Sequence, residues 1–332
     1  GACPTLLVAI EMGQRSWKLG FGRSDGTRRR VKSLAARDAA GLAEQIERSK
    51  AKLGLPASAP VLSVYEAGRD GFWPHRYLKA LGVSSLVVDP ASIEVNRRAR
   101  RAKSDRLDLR KLMAMLRRHH GGERGFWSVV QAPSEAAEDD RQPQRHLRTL
   151  KQTATQISNR IRGLLIAQGL DMTVDDDLLE RLEQTPLWDG RKIMPELRQR
   201  IVDELEQWQL VQKQIRRAEQ RRQQRLAEAG PEDRSASLAR QMMRLNGIGE
   251  HSAWLFATEI FSWRQIRNRR QLGALCGLTP TPYDSGESRR EQGISGAGNA
   301  WMRPMLVQIA WGWLRHQPRS KLARWFRERV GD

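Results

Sequence analysis

A serine flanked by glycine and arginines lies in a glycine-rich stretch near the end of the chain. The stretch covers residues 276–299, and within it Ser285 precedes Gly286, with Arg289 and Arg290 close behind. A serine hydroxyl can attack a phosphate, and guanidinium groups can stabilise the charge that develops on it. The same residues also suit a plain turn in which the serine bonds its own backbone. Both interpretations stay open from these residues alone.

Four acidic residues form a second group that could do chemistry. Glu11 and Glu66 each lie at the end of a predicted buried strand, and Asp105 and Asp108 share one face of a predicted helix near its N-terminus. If the two strands are central neighbours, the four carboxylates converge at one edge of a sheet and repel one another unless a cation lies between them. Mg²⁺ binds carboxylates together with phosphate oxygens, so the pattern predicts a magnesium site for phosphodiester chemistry. Taken singly, each acid also suits an ordinary strand end or helix N-terminus.

A strongly basic run comes just before the second pair of acids. Its cationic side chains are Arg97, Arg98, Arg100, Arg101 and Lys103. Such a run is often only a solvated charged segment. Its place beside a predicted phosphate site favours contact with a nucleic-acid backbone.

A second motif for phosphate contact covers residues 246–249, between two short predicted helices. Gly247 and Gly249 leave backbone amides free at the turn and at the start of the next helix, where they can hold a phosphate. The arrangement resembles a helix-hairpin-helix motif. Glycines at this spacing also occur in plain tight turns between helices.

The composition indicates a polyanionic partner. The 332 residues carry a net charge of +20 with a pI near 11.0, which makes nucleic acid the first expectation. Residues 1–130 hold 25 Lys/Arg against 12 Asp/Glu, residues 236–332 hold 15 against 7, and residues 131–235 are nearly balanced. We therefore expect the two ends to bind nucleic acid and the middle to act as a scaffold.

The two cysteines and the hydropathy indicate the compartment. Cys3 and Cys276 are too few for a disulfide framework or a cysteine-based zinc site. The sequence shows neither an apolar run of membrane-spanning length nor a signal peptide. We expect a soluble, cytoplasmic, nucleoid-associated protein with no membrane partner.

The elements that must position these residues begin with an α/β region. Strands are predicted at residues 5–10, 17–22, 28–34, 61–65 and 85–89, and helices at 39–53, 72–81 and 104–118. Strands that precede helices in this order predict a mixed sheet.

The rest of the chain is predicted to be mainly helical. After a linker at 131–145, helices at 146–168 and 195–228 carry seams with coiled-coil spacing around Ile157 and Trp208. These seams predict an antiparallel hairpin, a dimerisation arm or both, and hence a homodimer or homotetramer. The segment 170–195 is predicted to be irregular, and the Met and Trp residues of a last helix at 299–315 are assigned to the core. The predicted domains are 1–130, 131–235 and 236–332.

Several motifs together resemble those of the DEDD-type transposases of bacterial insertion sequences, a family of bridge-RNA-guided recombinases. The likeness covers nearly the whole chain. It rests on AIEMG (9–13), VYEAGRDGFW (64–73), RRAKSDRLD (100–108), LNGIGEHSAW (245–254) and, most specifically, GLTPTPYDSGESRREQGISGAGN (277–299).

The resemblance implies a RuvC-like, RNase-H-type first domain and a coiled-coil link to a transposase domain. By motif, the magnesium-binding acids are Glu11, Glu66, Asp105 and Asp108. Ser285 becomes the nucleophile that attacks the scissile phosphate and leaves a covalent phosphoserine link to DNA. The implied partners are donor and target DNA and a structured guide RNA. We also expect the acids of one subunit to serve the serine of another.

Three features depart from the family pattern. Glu11 stands where Asp is common, and its extra methylene displaces the carboxylate. Gly296 stands where Lys is expected, which removes a phosphate contact. The chain stops after WFRERVGD (325–332), whereas relatives often continue through another apolar helix.

We therefore predict a DNA transposase or recombinase that uses Mg²⁺ to cleave and exchange strands through a serine–phosphate intermediate. One alternative is a RuvC-like, structure-selective endonuclease that cuts without rejoining. The other is a nucleic-acid-binding protein without catalysis. Ser288 and Ser295 are the rival nucleophiles to Ser285.

Overall fold

The computed structural model describes residues 4–93, 105–285 and 288–331, and it divides into two compact units, Gly1–Pro133 and Ser134–Asp332. The side chains of residues 105, 106, 282–285, 288, 289 and 291 lie outside that description. Residues 131–235 and 236–332, which are predicted as separate domains, fall almost wholly within the second unit. Their separation stays a prediction.

A five-stranded mixed sheet forms the centre of the first unit. Its strands are β1 (Leu6–Met12), β2 (Ser16–Arg23), β3 (Arg29–Ala35), β4 (Val61–Glu66) and β5 (Ser84–Val88). The strand order is β3-β2-β1-β4-β5. β2 is antiparallel to both of its neighbours, β1 and β3, whereas β1, β4 and β5 run parallel to one another. The five predicted strands and the mixed sheet are confirmed, with strand ends shifted by at most two residues. β1 and β4 are also neighbours, as the acid pattern requires.

Helices cover both faces of this sheet. The sequence of β1 therefore begins with a continuous run of apolar residues. The helices are α1 (Ala39–Lys52), α2 (Trp73–Ala80) and α3 (Asp105–His120). One face, with Val8 and Ile10 of β1, packs on α1 and α2. The other face, with Leu7 and Ala9, packs on α3. The alternation of β1 therefore places odd-numbered residues toward α3.

Two long helices form the arm of the second unit. Its first helices are α4 (Glu135–Asp139), α5 (Gln142–Ile166), α6 (Leu178–Gln184) and α7 (Pro195–Glu228). α5 and α7 are antiparallel, because Ile161 packs with Leu205 whereas Leu150, earlier in α5, packs with Ile215, later in α7. The predicted antiparallel hairpin is confirmed. Its seam is buried within one chain, so it supplies no argument for a dimer, which stays a prediction.

Two predictions for this region are wrong. The linker predicted at 131–145 contains α4 and the start of α5, because Ser134 caps α4 by accepting a hydrogen bond from the Ala137 amide at 3.1 Å. Pro143 then lies in the first turn of α5, where its missing N–H costs nothing. The segment predicted to be irregular at 170–195 contains α6, whose Leu178 and Leu182 pack against the arm.

The remainder of the second unit is helical apart from one β-hairpin. Its elements are α8 (Arg234–Met243), α9 (Glu250–Phe256), α10 (Arg269–Cys276), β6 (Pro280–Ser285), β7 (Ser288–Ile294), α11 (Met302–His316) and α12 (Lys321–Val330). The long loop predicted at 276–299 is therefore wrong, since most of it pairs as β6 and β7. Backbone pairing holds these strands without the apolar alternation that marks a half-buried strand. α12 is also absent from the prediction.

The prediction that the Met and Trp residues of α11 belong to the core is wrong for Trp311. Met302 is buried, and Met305, Leu306 and Ile309 pack on the same cluster as α9 and α10. Trp311, however, is 64% exposed. None of the helices in the described part of the chain is long and apolar enough to cross a membrane.

Candidate functional site

The register of β1 and β4 brings Glu11 and Glu66 side by side. The two strands are parallel, with Ala9 opposite Val64 and Ile10 opposite Tyr65, so the next pair in this register is Glu11 and Glu66. Neighbouring strands lie about 4.8 Å apart. Glu11 continues the face of Leu7 and Ala9, which is the face covered by α3. Both carboxylates therefore lie at one edge of the sheet, on the α3 side.

The direction of α3 places its N-terminus at the same edge. A Cβ on Gly20 would lie 3.2 Å from Leu109, and a Cβ on Gly22 would lie 3.6 Å from Arg117. Gly20 pairs with Ala9 and Gly22 pairs with Leu7, so α3 runs antiparallel to β1 and begins beside the end that carries Glu11. The first turn of α3 contains Asp105 and Asp108.

These four acids thus come from three elements that meet at one sheet edge. The side chains of Glu11, Glu66 and Asp108 are all half-buried. Among the described residues, no three acidic, histidine or cysteine side chains are grouped closely enough to hold a metal ion. The Asp105 side chain lies outside the description. Glu11, Glu66 and Asp108 thus approach the same sheet edge without forming a metal-binding group by themselves.

The basic run that precedes α3 lies in a segment outside the structural description. Residues 94–104 lie outside the described residues, and five of the predicted nucleic-acid contacts fall among them. These are Arg97, Arg98, Arg100, Arg101 and Lys103.

Ser285 is the last residue of β6, in the final pair of the β6–β7 hairpin. It pairs with Ser288, and the preceding pair joins Asp284 to Arg289. Arg290, opposite Tyr283, is exposed. The hairpin therefore places the serine and both arginines within its last three residue pairs. The side chains of Ser285 and Arg289 lie outside the description.

The rival Ser295 lies at the opposite end of this hairpin. Its amide donates to the Thr279 carbonyl at 2.8 Å, and the Thr279 hydroxyl donates to the Ser295 Oγ at 3.3 Å. Ser288 is the partner of Ser285 in the last pair. The structure therefore separates Ser295 from the tip and leaves Ser285 and Ser288 there.

Two glycines close the base of the hairpin by direct backbone contact. Gly277 ends α10 with a left-handed φ of +67°, and a Cβ on Gly298 would lie 2.5 Å from the Gly277 nitrogen and 2.6 Å from the Leu275 oxygen. No real side chain tolerates such distances. The Asn299 amide donates to the Leu275 carbonyl at 2.8 Å beside this contact. The C-terminal end of the hairpin is thus fixed to the end of α10.

We expect Gly298→Ala to displace the hairpin and lower activity. Overpacking of this kind costs about 1–3 kcal/mol of unfolding free energy, because backbone atoms must move. Urea denaturation of both proteins measures the loss. Gly273→Ala is the matched control, since Gly273 lies within α10 and a Cβ there meets no atom within 4 Å. A Gly298→Ala protein as stable and active as the control would contradict this role.

Arg303 places a cation next to Gly296. Its Nε donates to the Cys276 carbonyl at 3.3 Å, and its Nη2 donates to the Gly296 carbonyl. A Cβ at position 296 would lie 3.5 Å from the Arg303 Nη1. Arg303 therefore supplies a positive charge beside residue 296, although that residue is glycine and not the expected lysine. Burial raises the pKa of the neighbouring Cys276 thiol, which makes it a poor nucleophile.

The glycine turn at 246–249 joins α8 to α9. Gly247 has a left-handed φ of +85°, and Gly249 is the N-cap of α9. Both glycines are exposed, as a phosphate contact requires. Asn246 and Gly247 also line a cavity of about 500 Å³ together with residues of α11, including Gln308.

A π-turn interrupts the helical path after α9 and buries an acid. The amide of Ser262 donates to the Ala257 carbonyl at 2.9 Å, five residues back. Within this turn Glu259 is only 3% exposed and accepts hydrogen bonds from Arg145 of α5 at 2.8 and 2.9 Å. Loss of Arg145 would leave this buried carboxylate with Arg141, 3.9 Å away, as its remaining ion-pair partner among the described residues.

The same arginine reaches the residue that precedes α11. Arg145 and Arg148 both stack on Trp301, at 4.9 and 4.6 Å from the ring centroid. On the other side of Glu259, Arg141 stacks on Trp263 at 5.0 Å. α5 is thus fixed both to the π-turn and to the segment that leaves the hairpin.

His251 is hydrogen-bonded to the first turn of α5. Its Nδ1 accepts a hydrogen bond from the Gln144 Nε2 at 2.9 Å. Burial, then the nearby Arg222 and Lys151, lowers its pKa, so the ring is neutral near pH 7. This hydrogen bond holds the imidazole ring of His251 against α5.

Comparison with known proteins adds an independent observation. Residues 239–323 match the family model "Transposase IS116/IS110/IS902 family". The chain is 36% identical over 336 residues to "Putative transposase y4rJ" of Sinorhizobium fredii (strain NBRC 101917 / NGR234), covering 98% of this chain and 84% of that protein. The chain belongs to the IS116/IS110/IS902 transposase family.

Other transposases are similar at lower identity. "Putative transposase y4qE" of the same Sinorhizobium fredii strain is 26% identical over 77% of this chain and 59% of its own length. "Transposase for insertion sequence element IS1328" of Yersinia enterocolitica is 25% identical over 51% of this chain and 48% of its own length. The resemblance to transposases of insertion sequences is therefore confirmed.

The segment matched by the IS116/IS110/IS902 family model contains the hairpin and the glycine turn. It runs from the middle of α8 to the first residues of α12 and includes Ser285. The buried pair of Arg145 and Glu259 was missed from sequence. An acid inside the apolar run 253–260 was the available signal, because a buried carboxylate needs a partner.

Proposed function

We propose that this transposase exchanges DNA strands through a covalent bond between Ser285 and DNA. The observation that carries the proposal is the position of Ser285 in the final pair of the β6–β7 hairpin, within the segment that matches the transposase family. Arg289 and Arg290 follow on the paired strand, where guanidinium groups can stabilise the charge of a phosphate under attack.

The proposed exchange has two balanced steps. In the first, the Ser285 Oγ attacks the scissile phosphorus, loses its proton to solvent, and displaces one sugar oxygen, which takes up a proton. In the second, a sugar hydroxyl of the incoming strand attacks the same phosphorus, and the serine oxygen leaves and is protonated again. The number of phosphodiester bonds is conserved, so no external energy source is needed.

We propose Glu11, Glu66, Asp105 and Asp108 as the magnesium ligands. All four offer carboxylate oxygens, the donors that Mg²⁺ prefers. The β1–β4 register and the direction of α3 support their convergence. A bound Mg²⁺ would act as a Lewis acid toward a phosphate oxygen. In this proposal, β1, β4 and α3 supply the four carboxylates to one edge of the sheet.

The remaining expectations are proposals about fold and partners. The strand order of the sheet and the acids on β1 and β4 support an RNase-H-like, RuvC-like first unit. The excess of Lys and Arg in residues 1–130 and 236–332 supports donor DNA, target DNA and a structured guide RNA as partners. We also propose a homodimer or homotetramer that works in the bacterial cytoplasm at the nucleoid.

A RuvC-like endonuclease is the second candidate. It is favoured by the carboxylate edge, which lies in the first unit and could support cleavage by water without the serine. The two candidates differ in whether a covalent intermediate forms.

The deciding experiment traps the protein on a nicked DNA substrate that cannot be resealed. We expect a DNA adduct in the peptide 271–289, with fragmentation placing the phosphate on Ser285. An adduct on Ser288 or Ser295 would move the nucleophile. Cleavage without any adduct would establish the endonuclease, and binding without cleavage would leave a nucleic-acid-binding protein.

A further inference from the structure

The α11–α12 helix pair exposes two tryptophans that the proposed chemistry does not use. Trp311 is 64% exposed on α11 and Trp325 is 54% exposed on α12. Burying side chains of this size normally stabilises a fold strongly, so two exposed indoles on neighbouring helices indicate a surface with a partner.

The helix pair is held firmly, so the exposure does not reflect a loose end. The Trp313 Nε1 donates to the Ser320 Oγ at 2.9 Å, and the same hydroxyl caps α12 by accepting from the Ala323 amide at 3.1 Å. Phe326 meets the edge of Trp311 with ring centroids 6.3 Å apart. Trp325 directly precedes Phe326 on α12, so both exposed tryptophans are carried by one packed helix pair.

The surface around these tryptophans is strongly basic. Residues 311–331 contain six Lys/Arg and one acid, Glu328. All six cations are exposed: Arg315, Arg319, Lys321, Arg324, Arg327 and Arg329. Apart from Arg327, none of them makes a salt bridge or hydrogen bond with a described residue. Most of the positive charge on this surface is therefore not balanced by an acidic group in the described part of the chain.

The spacing interleaves cations with the tryptophans. Lys321, Trp325 and Arg329 are four residues apart, so they form one row along α12. Trp311 and Arg315 have the same spacing on α11. Each indole thus has a cation one helical turn away along its own helix.

We propose that this surface, the Trp311–Trp325 face, binds a single-stranded segment of nucleic acid. Bases would stack on the two indoles while phosphates contact Lys321, Arg315 and Arg329, which is how sequence-tolerant single-strand binding works. A second copy of the chain is disfavoured, because it would bring like charge against like charge. A duplex is also disfavoured, because its bases are already stacked and offer no free faces.

This inference deepens the proposed function, since it rests on nucleic acid as the partner. It names the form of the ligand, an unpaired strand, and a surface distinct from the Ser285 hairpin. It does not depend on the covalent chemistry. Failure to bind strands at this face and failure to form a serine adduct are therefore separate results.

The first experiment compares two labelled strands of equal length with the full-length chain. One is a 12-nucleotide oligo(dT), and the other is an abasic chain with the same phosphates. We expect the Trp311→Ala/Trp325→Ala protein to bind oligo(dT) about tenfold or more weakly, as stacking losses imply. Binding of the abasic chain should be unchanged. Trp188→Ala is the matched control, because Trp188 is 91% exposed on another part of the unit.

The second experiment locates the contact directly. Oligo(dT) with 5-iodouracil, irradiated with the wild-type chain, should cross-link to the tryptic peptide of residues 325–327. A cross-link to the peptide 291–315 that maps to Trp311 would also support the proposal, whereas cross-links found only outside both peptides would overturn it. So would an equal loss of affinity for both strands, which would make the surface a phosphate contact alone. A change of sedimentation in the double variant without nucleic acid would also overturn it, in favour of a protein interface.

Discussion

Ser285→Ala should abolish strand exchange while leaving nucleic-acid binding intact. Removing a nucleophile from a constellation that acts as a unit typically costs roughly a thousandfold or more in rate. Affinity should change little, because a single hydroxyl adds little to an interface dominated by cations. A recombination assay on paired donor and target DNA, run beside a gel-shift titration, measures both quantities.

Ser288→Ala supplies the matched control for this result. Ser288 lies directly across from Ser285 in the last pair of the hairpin, so both substitutions remove one hydroxyl from the same place. We expect the Ser288→Ala protein to retain most of its activity. Equal loss in both variants would show that the tip, and not one nucleophile, is required. Full activity of Ser285→Ala would refute the covalent mechanism.

Asp108→Asn should remove most DNA cleavage by weakening the magnesium site. Asparagine keeps the size of the side chain but loses the charge that offsets a divalent cation. Even partners outside the ligand shell often cost 10–100-fold when mutated, so loss of a direct ligand should cost about a hundredfold or more. Cleavage rates across a magnesium titration measure the effect, and the apparent affinity for Mg²⁺ should fall as well.

Glu44→Gln is the control for the loss of a carboxylate. Glu44 lies on α1, where its ion pair with Arg48 is exposed and contributes little to stability. That variant should cleave at the wild-type rate. Wild-type cleavage that persists in EDTA would show that the four acids have another purpose. Both variants should unfold cooperatively, like the wild-type chain, which would show that the fold is intact.

The sheet of the first unit was predictable because both of its faces are buried. The run Leu6–Ile10 is apolar throughout, which is typical of a strand covered by helices on two sides. The placement of Glu11 and Glu66 at strand ends followed from where these runs stop. The pairing of β1 with β4 could not be derived, because register depends on contacts between distant segments. It was an assumption that the structure confirmed.

The hairpin was not predictable from periodicity. Its strands PTPYDS and SRREQGI show no apolar alternation, since backbone pairing and the closure at Gly298 hold them. A Gly-x pair between two short runs was the available sequence signal. The exposure of Trp311 could not be predicted from the sequence either. Helical spacing identifies an apolar face but does not show what covers that face.

At the π-turn, the number of residues determines the direction of the segment that follows. An α-helix rotates by about 100° per residue, so an extra residue in one turn resets the direction of everything that follows. Deleting a single residue from Ala257–Phe261 would rotate Trp263 away from Arg141 and redirect the path toward α10. Substitutions of exposed residues around this turn would leave the chain path intact, whereas loss of one residue within it would change the direction of the segment that leads to α10.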